Sequence, residues 1–353
     1  MAPQEPVLVV RGLTKHFPLY QPRLLGLARQ QVGIVRAVED VSFTVQRGET
    51  LGLVGESGCG KTTTARLILR VLRPTRGEIL FNFNAGGTMV RVDALEGKAL
   101  RALRRHIQLI FQDPHSSLNP RMPVGEIIAE PLKLHRYGSD AEITERVKAL
   151  MAMVGLDVQY LRRYPHSFSG GQRQRIGIAR ALALNPELVV CDEPVSALDV
   201  SIQAQVLNLL KDLQAELGLT YLFISHNLAV VDYVADRVAV MYAGRIVELA
   251  PKRELFEHPR HPYTEALLAA VLRPDPTLRQ GPLTGARNGD EEGPATRGCA
   301  YASRCRYVVE RCRVETPEPT PVGPDHFARC HRVNEIRLTP LLRRPELTPG
   351  SRP

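Results

Sequence analysis

Tryptophan is absent from the 353-residue chain, and aromatic residues make up only 5% of it. Surfaces on which single-stranded nucleic acid stacks are therefore scarce, and nucleic acid is a disfavoured partner although the net charge is +9. The charge is typical of a generic basic surface or of one near an anionic membrane. No apolar run reaches the roughly 18 residues of a membrane-spanning helix. The opening stretch, MAPQEPVLVV, lacks the basic and apolar regions of a signal peptide, so we expect a cytosolic chain.

Cysteine is also rare: the chain has six, and four of them fall between residues 299 and 330. In the cytosol such residues are free, catalytic or metal-bound more often than disulfide-bonded. Residues 273–298 are rich in proline, glycine and charge, which is typical of a linker. We therefore expect one large domain over residues 1–272, a small cysteine-bearing segment over 299–333 and a disordered tail over 334–353.

Short apolar runs alternate with helical patterns along the large domain, as in an α/β fold. The runs at 50–54, 187–191 and 220–224 are short and rich enough in β-branched residues for buried parallel strands. A helical pattern begins at Lys61, and residues 113–175 are mostly helical. This order predicts a helical subdomain inserted into an α/β core.

The strand at 50–54 is followed by the stretch GESGCGKT, residues 55–62, and then by a helix. This is the G-x-x-x-x-G-K-[ST] pattern of a phosphate-binding loop, in the context that the pattern requires. In such a loop backbone N–H groups surround the β-phosphate, Lys61 bridges the β- and γ-phosphates, and the hydroxyl of Thr62 binds Mg²⁺. The residues expected to bind ATP here are Gly55, Ser57, Gly58, Cys59, Gly60, Lys61, Thr62 and Thr63, with Cys59 as a small filler.

Two carboxylates follow the apolar run at 187–191. At a strand end, Asp192 suits Mg²⁺, usually through water. Glu193 beside it is placed to orient and deprotonate an attacking water. An Asp-Glu pair after an apolar run is common and is a weak signal alone. Its position downstream of a phosphate loop makes it a strong indication of a catalytic role.

The stretch SGGQRQ, residues 169–174, precedes an amphipathic, Arg-rich helix. Unpaired N–H groups at a helix start attract anions, and glycine permits close approach to the backbone. Ser169, Gly170, Gly171 and Gln172 are therefore candidates for binding phosphate. Taken alone, these residues fit an ordinary serine-capped helix as well.

An ordered set of motifs connects these stretches, and it resembles the ATP-binding subunit of an ABC transporter over residues 7–272. The motifs are GESGCGKTT at 55–63, FQDP at 111–114, SGGQRQ at 169–174, VVCDEP at 189–194, SALD at 196–199 and Ser225-His226. The resemblance implies a P-loop ABC-type nucleotide-binding domain with a RecA-like core, a helical subdomain and an antiparallel β subdomain.

The resemblance also assigns roles to single residues around the nucleotide. It implies that Gln112 contacts Mg²⁺ and the attacking water and senses the membrane partner, and that His226 contacts the γ-phosphate. Phe17 lies where the family stacks an aromatic ring on adenine, and residues 18–35 are expected to form an insertion.

Two further stretches are assigned by the resemblance to the contact between two subunits. Ser169–Gln172 would bind the γ-phosphate of ATP held by the opposite subunit, and Asp199 would lie across the dimer interface. The phosphate loop of one chain and the serine-glycine stretch of another would then form one ATP site.

Several stretches resemble the ATPases of dipeptide, oligopeptide and nickel importers more narrowly. They are SSLNPRMPVGEIIAEPL at 116–132, RYPHSFSGGQRQRI at 163–176, PVSALDVSIQAQVLNLL at 194–210 and HPRHPYTEALL at 258–268. The likeness is closer to the F-type subunit, which pairs with a D-type subunit. It implies two membrane-spanning permease subunits, an extracytoplasmic solute-binding protein, and a position on the cytoplasmic face of the membrane.

The four clustered cysteines, Cys299, Cys305, Cys312 and Cys330, are candidates for a metal centre. Soft thiolates suit an iron–sulfur cluster or Zn²⁺, and their spacing differs from the C-x₂-C pairs of common zinc sites. Some members of the importer branch are associated with a [4Fe–4S] cluster, so the resemblance favours that group over Zn²⁺ or free thiols. The candidate substitute ligands are His326 and His331, and the nearby basic residues Arg304, Arg306, Arg311 and Arg313 would offset cluster charge or be plain surface charge.

The sequence thus predicts an ATPase that energises uptake of dipeptides or oligopeptides, with nickel or another small solute as the alternative. One rival is a soluble ABC ATPase that acts on nucleic acid or ribosomes, which usually carries two nucleotide domains or a long coiled-coil insertion. The other rival is a regulatory module in which the carboxy-terminal cysteines sense redox state or metal.

Overall fold

The computed structural model describes residues 5–23, 28–83, 87–270 and 297–340. Its main element is an eight-stranded mixed sheet, of which the four strands β3, β8, β7 and β6 are parallel neighbours. In spatial order the strands are β11 (Thr320–Gly323), β12 (His326–Ala328), β10 (Arg245–Pro251), β9 (Arg237–Tyr242), β3 (Thr50–Val54), β8 (Thr220–Ser225), β7 (Leu188–Asp192) and β6 (Ile107–Ile110).

The parallel strands are buried on both faces, as their continuous apolar runs predict. Along β8, Tyr221 and Phe223 join one hydrophobic cluster, whereas Leu222 and Ile224 join another on the opposite face. The predicted run at 187–191 is shifted by one residue, because β7 begins at Leu188 and extends to Asp192.

A smaller antiparallel sheet covers one face of the main sheet with strands in the order β2 (Ala28–Gln46), β1 (Pro6–Arg23), β4 (Arg76–Phe81) and β5 (Val90–Arg91). The expected insertion at residues 18–35 is extended where the structure describes it. Strands β1 and β2 continue to pair through it, with Phe17 opposite Val35 and Leu19 opposite Gly33. Backbone pairing here depends on the other strand, which a local pattern does not reveal.

Helices surround the sheets and dominate the region after Asp113. They are α1 (Lys61–Ile68), α2 (Gly97–Leu103), α3 (Pro114–Ser117), α4 (Val124–Leu134), α5 (Asp140–Met153), α6 (Gly170–Leu182), α7 (Val200–Leu217), α8 (Leu228–Val234), α9 (Lys252–Glu257), α10 (Pro262–Ala269) and α11 (Glu310–Val314), with 3₁₀ turns at Val92–Ala94, Val158–Arg162 and Pro165–Ser167. Buried Ile128, Val147, Leu150 and Ile176 join α4, α5 and α6 into one core. Among the described residues, no helix is both long and apolar enough to cross a bilayer.

The carboxy-terminal segment, residues 297–340, packs onto the main sheet through β12, which pairs with β10. Buried Glu248 on β10 accepts hydrogen bonds from His326 Nε2 and from the backbone N–H groups of Arg260 and His261, each at 2.8 Å. These bonds hold the segment at the sheet edge.

The predicted linker and tail only partly fall within the described ranges. Positions 273–296 and 341–353 lie outside them. Gly298, placed in the linker by its composition, has φ 78°, and a Cβ there would lie 2.4 Å from Cys312 O. The N–H of Thr339 donates to Glu265 Oε1 at 2.7 Å. A buried carboxylate on α10 thus contacts the stretch 334–340, and disorder of the tail stays a prediction.

Replacing Glu248 tests this attachment. Glu248→Ala leaves two backbone N–H groups and His326 without their common acceptor, so the free energy of unfolding is expected to fall by about 3 kcal/mol. Glu216→Ala, at an exposed position on α7, is the control and should change it by no more than about 0.5 kcal/mol. Equal losses for the two variants in urea denaturation would contradict the role of Glu248.

Candidate active site

The phosphate-loop stretch connects β3 to α1 at the carboxyl edge of the parallel strands. Gly60 is the N-cap residue of α1, and its φ is 111°. A Cβ at this position would lie 2.3 Å from Ala37 O, so only glycine fits. Cys59 beside it is 6% exposed, and burial raises the pKa of its thiol. A buried neutral thiol agrees with the filler role expected for it.

Lys61 lies inside the curve of this loop. Its Nζ donates to Gly55 O at 2.7 Å and to Glu56 O at 2.9 Å, and the residue is only 5% exposed. The ammonium is therefore held at the place where the loop presents its backbone N–H groups, which suits a bridge between two phosphates.

Thr62 lies in the first turn of α1 and Asp192 at the end of β7, and Thr62 Oγ1 donates a hydrogen bond to Asp192 Oδ1 at 3.1 Å. Burial raises the pKa of Asp192, while the hydrogen bond from Thr62 opposes that rise. A hydroxyl and a carboxylate side by side at a phosphate loop are the oxygen donors that Mg²⁺ takes together with substrate phosphates. The residues present fit that ion.

Glu193 is the centre of the predicted catalytic group. Gln112 Nε2 donates to Glu193 Oε2 at 3.0 Å, and His226 Nδ1 lies 2.9 Å from the same oxygen. The backbone of Glu193 has φ 47°, a conformation that costs energy for a residue with a side chain. The turn after β7 thus aims this carboxylate at the loop.

A cavity of about 750 Å³ unites these groups. The predicted residues that line it are Ser57, Gly58, Gly60, Lys61, Thr62, Thr63, Gln112, Glu193 and His226, and those that the sequence did not suggest are Ile34, Val35, Arg36, Ala37, Glu39, Ala243, Gly244, Arg245, Gly298, Ala300 and Thr316. Its size suits a nucleotide.

Phe17 is not among the residues that line the cavity. Its ring has Lys15 Nζ 5.0 Å from the ring centroid, and its backbone pairs with Val35 on the neighbouring strand. Exposed Ile34 and Val35 provide the apolar wall instead. Phe17 thus does not line this cavity, and its contact with adenine stays a prediction. The apolar wall follows only from the register between β1 and β2.

Glu39 is a cavity residue that the sequence analysis missed. It is 7% exposed, and its carboxylate bonds to His16 Nε2 at 2.5 Å and Arg76 Nη2 at 3.0 Å. Burial alone raises the pKa of Glu39, but His16, Arg245 and Arg76 together lower it below the ordinary value. The carboxylate is therefore ionised at neutral pH and anchors a basic rim.

The serine-glycine stretch begins α6 and lies outside the cavity lining. Ser169 Oγ accepts the N–H of Gln172 at 3.3 Å, and Gln172 Oε1 accepts the N–H of Ser169 at 3.1 Å. This capping box confirms the serine-capped helix and leaves the Ser169 hydroxyl proton free to be donated. At Gly171 a Cβ would lie 2.5 Å from Ile202 Cγ2, so the glycine permits α6 to pack against α7.

Asp199 precedes α7 and is exposed, as is Val200 beside it at 82%. Neither Asp199 nor Val200 lines the nucleotide cavity of this chain. Both Asp199 and Ser169 are thus exposed at the surface of the chain.

The four carboxy-terminal cysteines line a second, smaller cavity together with Tyr301 and His331. Burial raises the pKa of Cys299, raises that of Cys305 to about 12 and raises that of Cys330 to about 11. Within the described ranges, no group of three or more His, Cys, Asp or Glu side chains has a metal-binding arrangement. The donor chemistry fits a soft metal, whereas the thiol positions do not form a ligand set.

The two proposed substitute ligands and the basic neighbours have other partners. His326 bonds to Glu248, and His331 Nε2 lies 2.8 Å from Glu315 O. Ion pairs engage three of the four arginines, namely Arg304 with Glu56, Arg306 with Glu265 and Arg311 with Glu315. Their charges are thus neutralised by carboxylates rather than reserved for a cluster.

Comparison with known proteins agrees with the geometry. The family described as "ABC transporter" matches residues 38–196, and the one described as "Oligopeptide/dipeptide transporter, C-terminal region" matches residues 247–312. Among solved structures, a dimeric ATP-binding cassette in a post-hydrolysis state with ADP and Pi is 27% identical, with a TM-score of 0.59 over 70% of this chain and 99% of that chain.

Curated relatives match almost the whole chain. The oligopeptide transport ATP-binding protein AppF of Bacillus subtilis is 48% identical over 94% of this chain and 98% of its own. The oligopeptide transport ATP-binding protein OppF of Haemophilus influenzae is 48% identical over the same shares. A probable peptide ABC transporter ATP-binding protein of Sinorhizobium fredii is 51% identical over 92% of this chain and 89% of its own. With a phosphate loop, a carboxylate site and this breadth of identity, the chain belongs to the ABC transporter family, in the group of its peptide-transport ATP-binding proteins.

Proposed function

We propose that this protein hydrolyses ATP to drive the import of dipeptides or oligopeptides. The observation that carries the proposal is the convergence of Gln112 and His226 on Glu193 Oε2, within the cavity that also holds the phosphate loop. Peptide as the transported solute is inferred from the names of the relatives, because the solute is not expected to contact this chain and leaves no feature in it. Nickel or another small solute on the same machinery is the alternative.

The hydrolytic step follows from the placement of three side chains. Glu193 accepts a proton from the water that attacks the γ-phosphorus as the bond to ADP breaks. Gln112 and His226 hold the carboxylate in place. Lys61 offsets charge that develops on the β- and γ-phosphate oxygens. Mg²⁺, held through Thr62 and Asp192 with Gln112 nearby, supplies further charge stabilisation when bound.

The outward position of Ser169 and Asp199 supports a second ATP-binding subunit as partner. We infer that the partner is a D-type chain and that each chain completes the other's ATP site. Two permease subunits and an extracytoplasmic solute-binding protein would complete the importer, and this chain would lie at the cytoplasmic face of the membrane. A soluble ABC ATPase that acts on nucleic acid or ribosomes would bind the same nucleotide, so the importer is favoured by the names of the relatives rather than by the cavity.

We further propose that the four carboxy-terminal cysteines bind a soft metal, as a [4Fe–4S] cluster or as Zn²⁺. The four thiols line one cavity, which supports this proposal. In the described part of the chain their positions do not form a metal-binding arrangement. Because burial raises the pKa of three of them, binding must displace their protons, and the segment must adjust around the metal.

The catalytic assignment predicts the effect of Glu193→Gln. The amide keeps the shape but removes the proton acceptor, so kcat for ATP is expected to fall by at least about 100-fold while ATP still binds. Phosphate release and ATP titration of the full chain are the measurements. Glu216→Gln on α7 is the control. Unchanged kcat in Glu193→Gln would reject the assignment.

The dual role of Ser169 allows a matched test. Ser169 and Ser139 each cap a helix through a capping box, at α6 and α5. Both Ser→Ala variants are expected to lose about 1 kcal/mol of stability. Only Ser169→Ala should slow ATP hydrolysis in the assembled transporter, because only α6 is proposed to meet the partner's nucleotide. Equal ATPase rates in the two variants would show that Ser169 does no more than cap its helix.

The metal proposal is tested on anaerobically purified protein. A [4Fe–4S] cluster gives broad visible absorption and about four irons per chain, whereas zinc gives a colourless protein with about one metal. The variant with Ser at all four cysteine positions is the control and should lose the metal. Wild-type protein with neither metal would leave free thiols as the correct description.

A further inference from the structure

The carboxy-terminal segment contacts the phosphate loop directly, at a residue that the loop motif leaves open. Arg304 Nη1 lies 2.9 Å from Glu56 Oε2. The backbone N–H of the same Glu56 donates to the hydroxyl of Tyr263 at 2.9 Å. Glu56 is the second residue of the loop, so both its main chain and its side chain are held by residues more than 200 positions away.

These two contacts come from a packed aromatic group. Tyr263 is 1% exposed, with its ring centroid 4.5 Å from that of Tyr242 and 5.4 Å from that of Tyr301. Tyr242 and Tyr301 meet edge to face at 5.2 Å. Arg304 Cζ also lies 5.9 Å from the centroid of the Tyr301 ring. The aromatic group therefore packs against the Arg304 side chain, whose guanidinium forms the ion pair with Glu56.

The same stretch faces two cavities. Gly298 and Ala300 line the nucleotide cavity, while Cys299 and Cys305 line the smaller cavity of the cysteines. Tyr301 and Arg304 lie between those two cysteines in the sequence. Residues 298–305 therefore form one side of the nucleotide cavity and support the loop that binds phosphate.

We propose that residues 298–305 brace the phosphate loop, with Arg304 and Tyr263 as positioning residues for ATP binding. A phosphate loop binds through backbone N–H groups whose directions are set before the ligand arrives. Gly55, with φ 155°, leaves the loop backbone conformationally free at this turn. The contacts that hold the adjacent Glu56 reduce that freedom. The inference rests on the proposed ATP site and not on the identity of the solute.

The test compares Arg304→Ala with Arg311→Ala in the full chain. Arg311 has a Glu partner in the same segment but no contact with the loop. Side chains of Arg304 and Glu56 are 36% and 43% exposed, so the expected rise in the dissociation constant for Mg·ATP is about two- to fivefold. Arg311→Ala should leave it unchanged, and Arg304→Lys should restore most of the affinity.

Two further measurements separate positioning from folding. Tyr263→Phe keeps the ring but removes the acceptor of the Glu56 N–H, and should weaken ATP binding about three- to tenfold with little change in melting temperature. In a double-mutant cycle, Glu56→Gln combined with Arg304→Gln should cost no more affinity than either change alone.

The outcomes distinguish this proposal from the function above. ATP affinity that is unchanged in Arg304→Ala and Tyr263→Phe, or additive in the cycle, would overturn the brace and leave the contacts purely structural. Because ATP binding is measured without peptide or permeases, a failure of peptide import leaves this result intact. Loss of ATP binding by the wild-type chain would instead overturn the ATPase assignment itself.

Discussion

The parallel pairing of β3, β8, β7 and β6 is the constraint on which the active site depends. Each of these neighbouring strands ends at the same edge of the sheet, with Val54 opposite Ser225 and Asp192 opposite Ile224. The phosphate loop follows β3, His226 follows β8, Glu193 follows β7, and Gln112 follows β6. Four chemical groups that are far apart in the sequence therefore lie close together in the structure, as is general at the carboxyl edge of such sheets.

That constraint explains how much the sequence could predict. Short, doubly buried strands carry a clear apolar pattern, so the runs at 50–54, 187–191 and 220–224 were located within one residue. The motifs that directly follow these strands have fixed spacing, so most of the predicted phosphate-loop and carboxylate residues line one cavity. Of the residues predicted to bind phosphate or Mg²⁺, those that do not line it are Gly55, Cys59, Asp192 and the stretch 169–172. The wall formed by Ile34 and Val35 was not predictable, because it requires the register of two long strands rather than a local motif.

Ser169 shows how a structural and a chemical role are combined in one side chain. Its oxygen accepts the Gln172 N–H and so stabilises α6, while the side chain is exposed and keeps its hydroxyl proton available to a further acceptor. An anion would reach this hydroxyl from outside the chain, because Ser169 does not line the cavity that holds Lys61. In the proposed arrangement, a nucleotide bound between two chains would contact both halves, and ATP binding and subunit association would then stabilise each other.

The carboxy-terminal segment, residues 297–340, is attached to the ATPase domain by ion pairs as well as by strand pairing. Arg304 and Arg306 form ion pairs with carboxylates on the phosphate loop and on α10, so they hold the segment to the ATPase domain. These two guanidinium groups are therefore engaged by carboxylates and not free to neutralise thiolates in the cysteine cavity. Burial raises the pKa of Cys305 to about 12, so this thiol is neutral at physiological pH unless a metal ion supplies positive charge. Metal occupancy would then change the charge and shape of the stretch between Cys299 and Cys305, which also reaches Glu56 through Arg304.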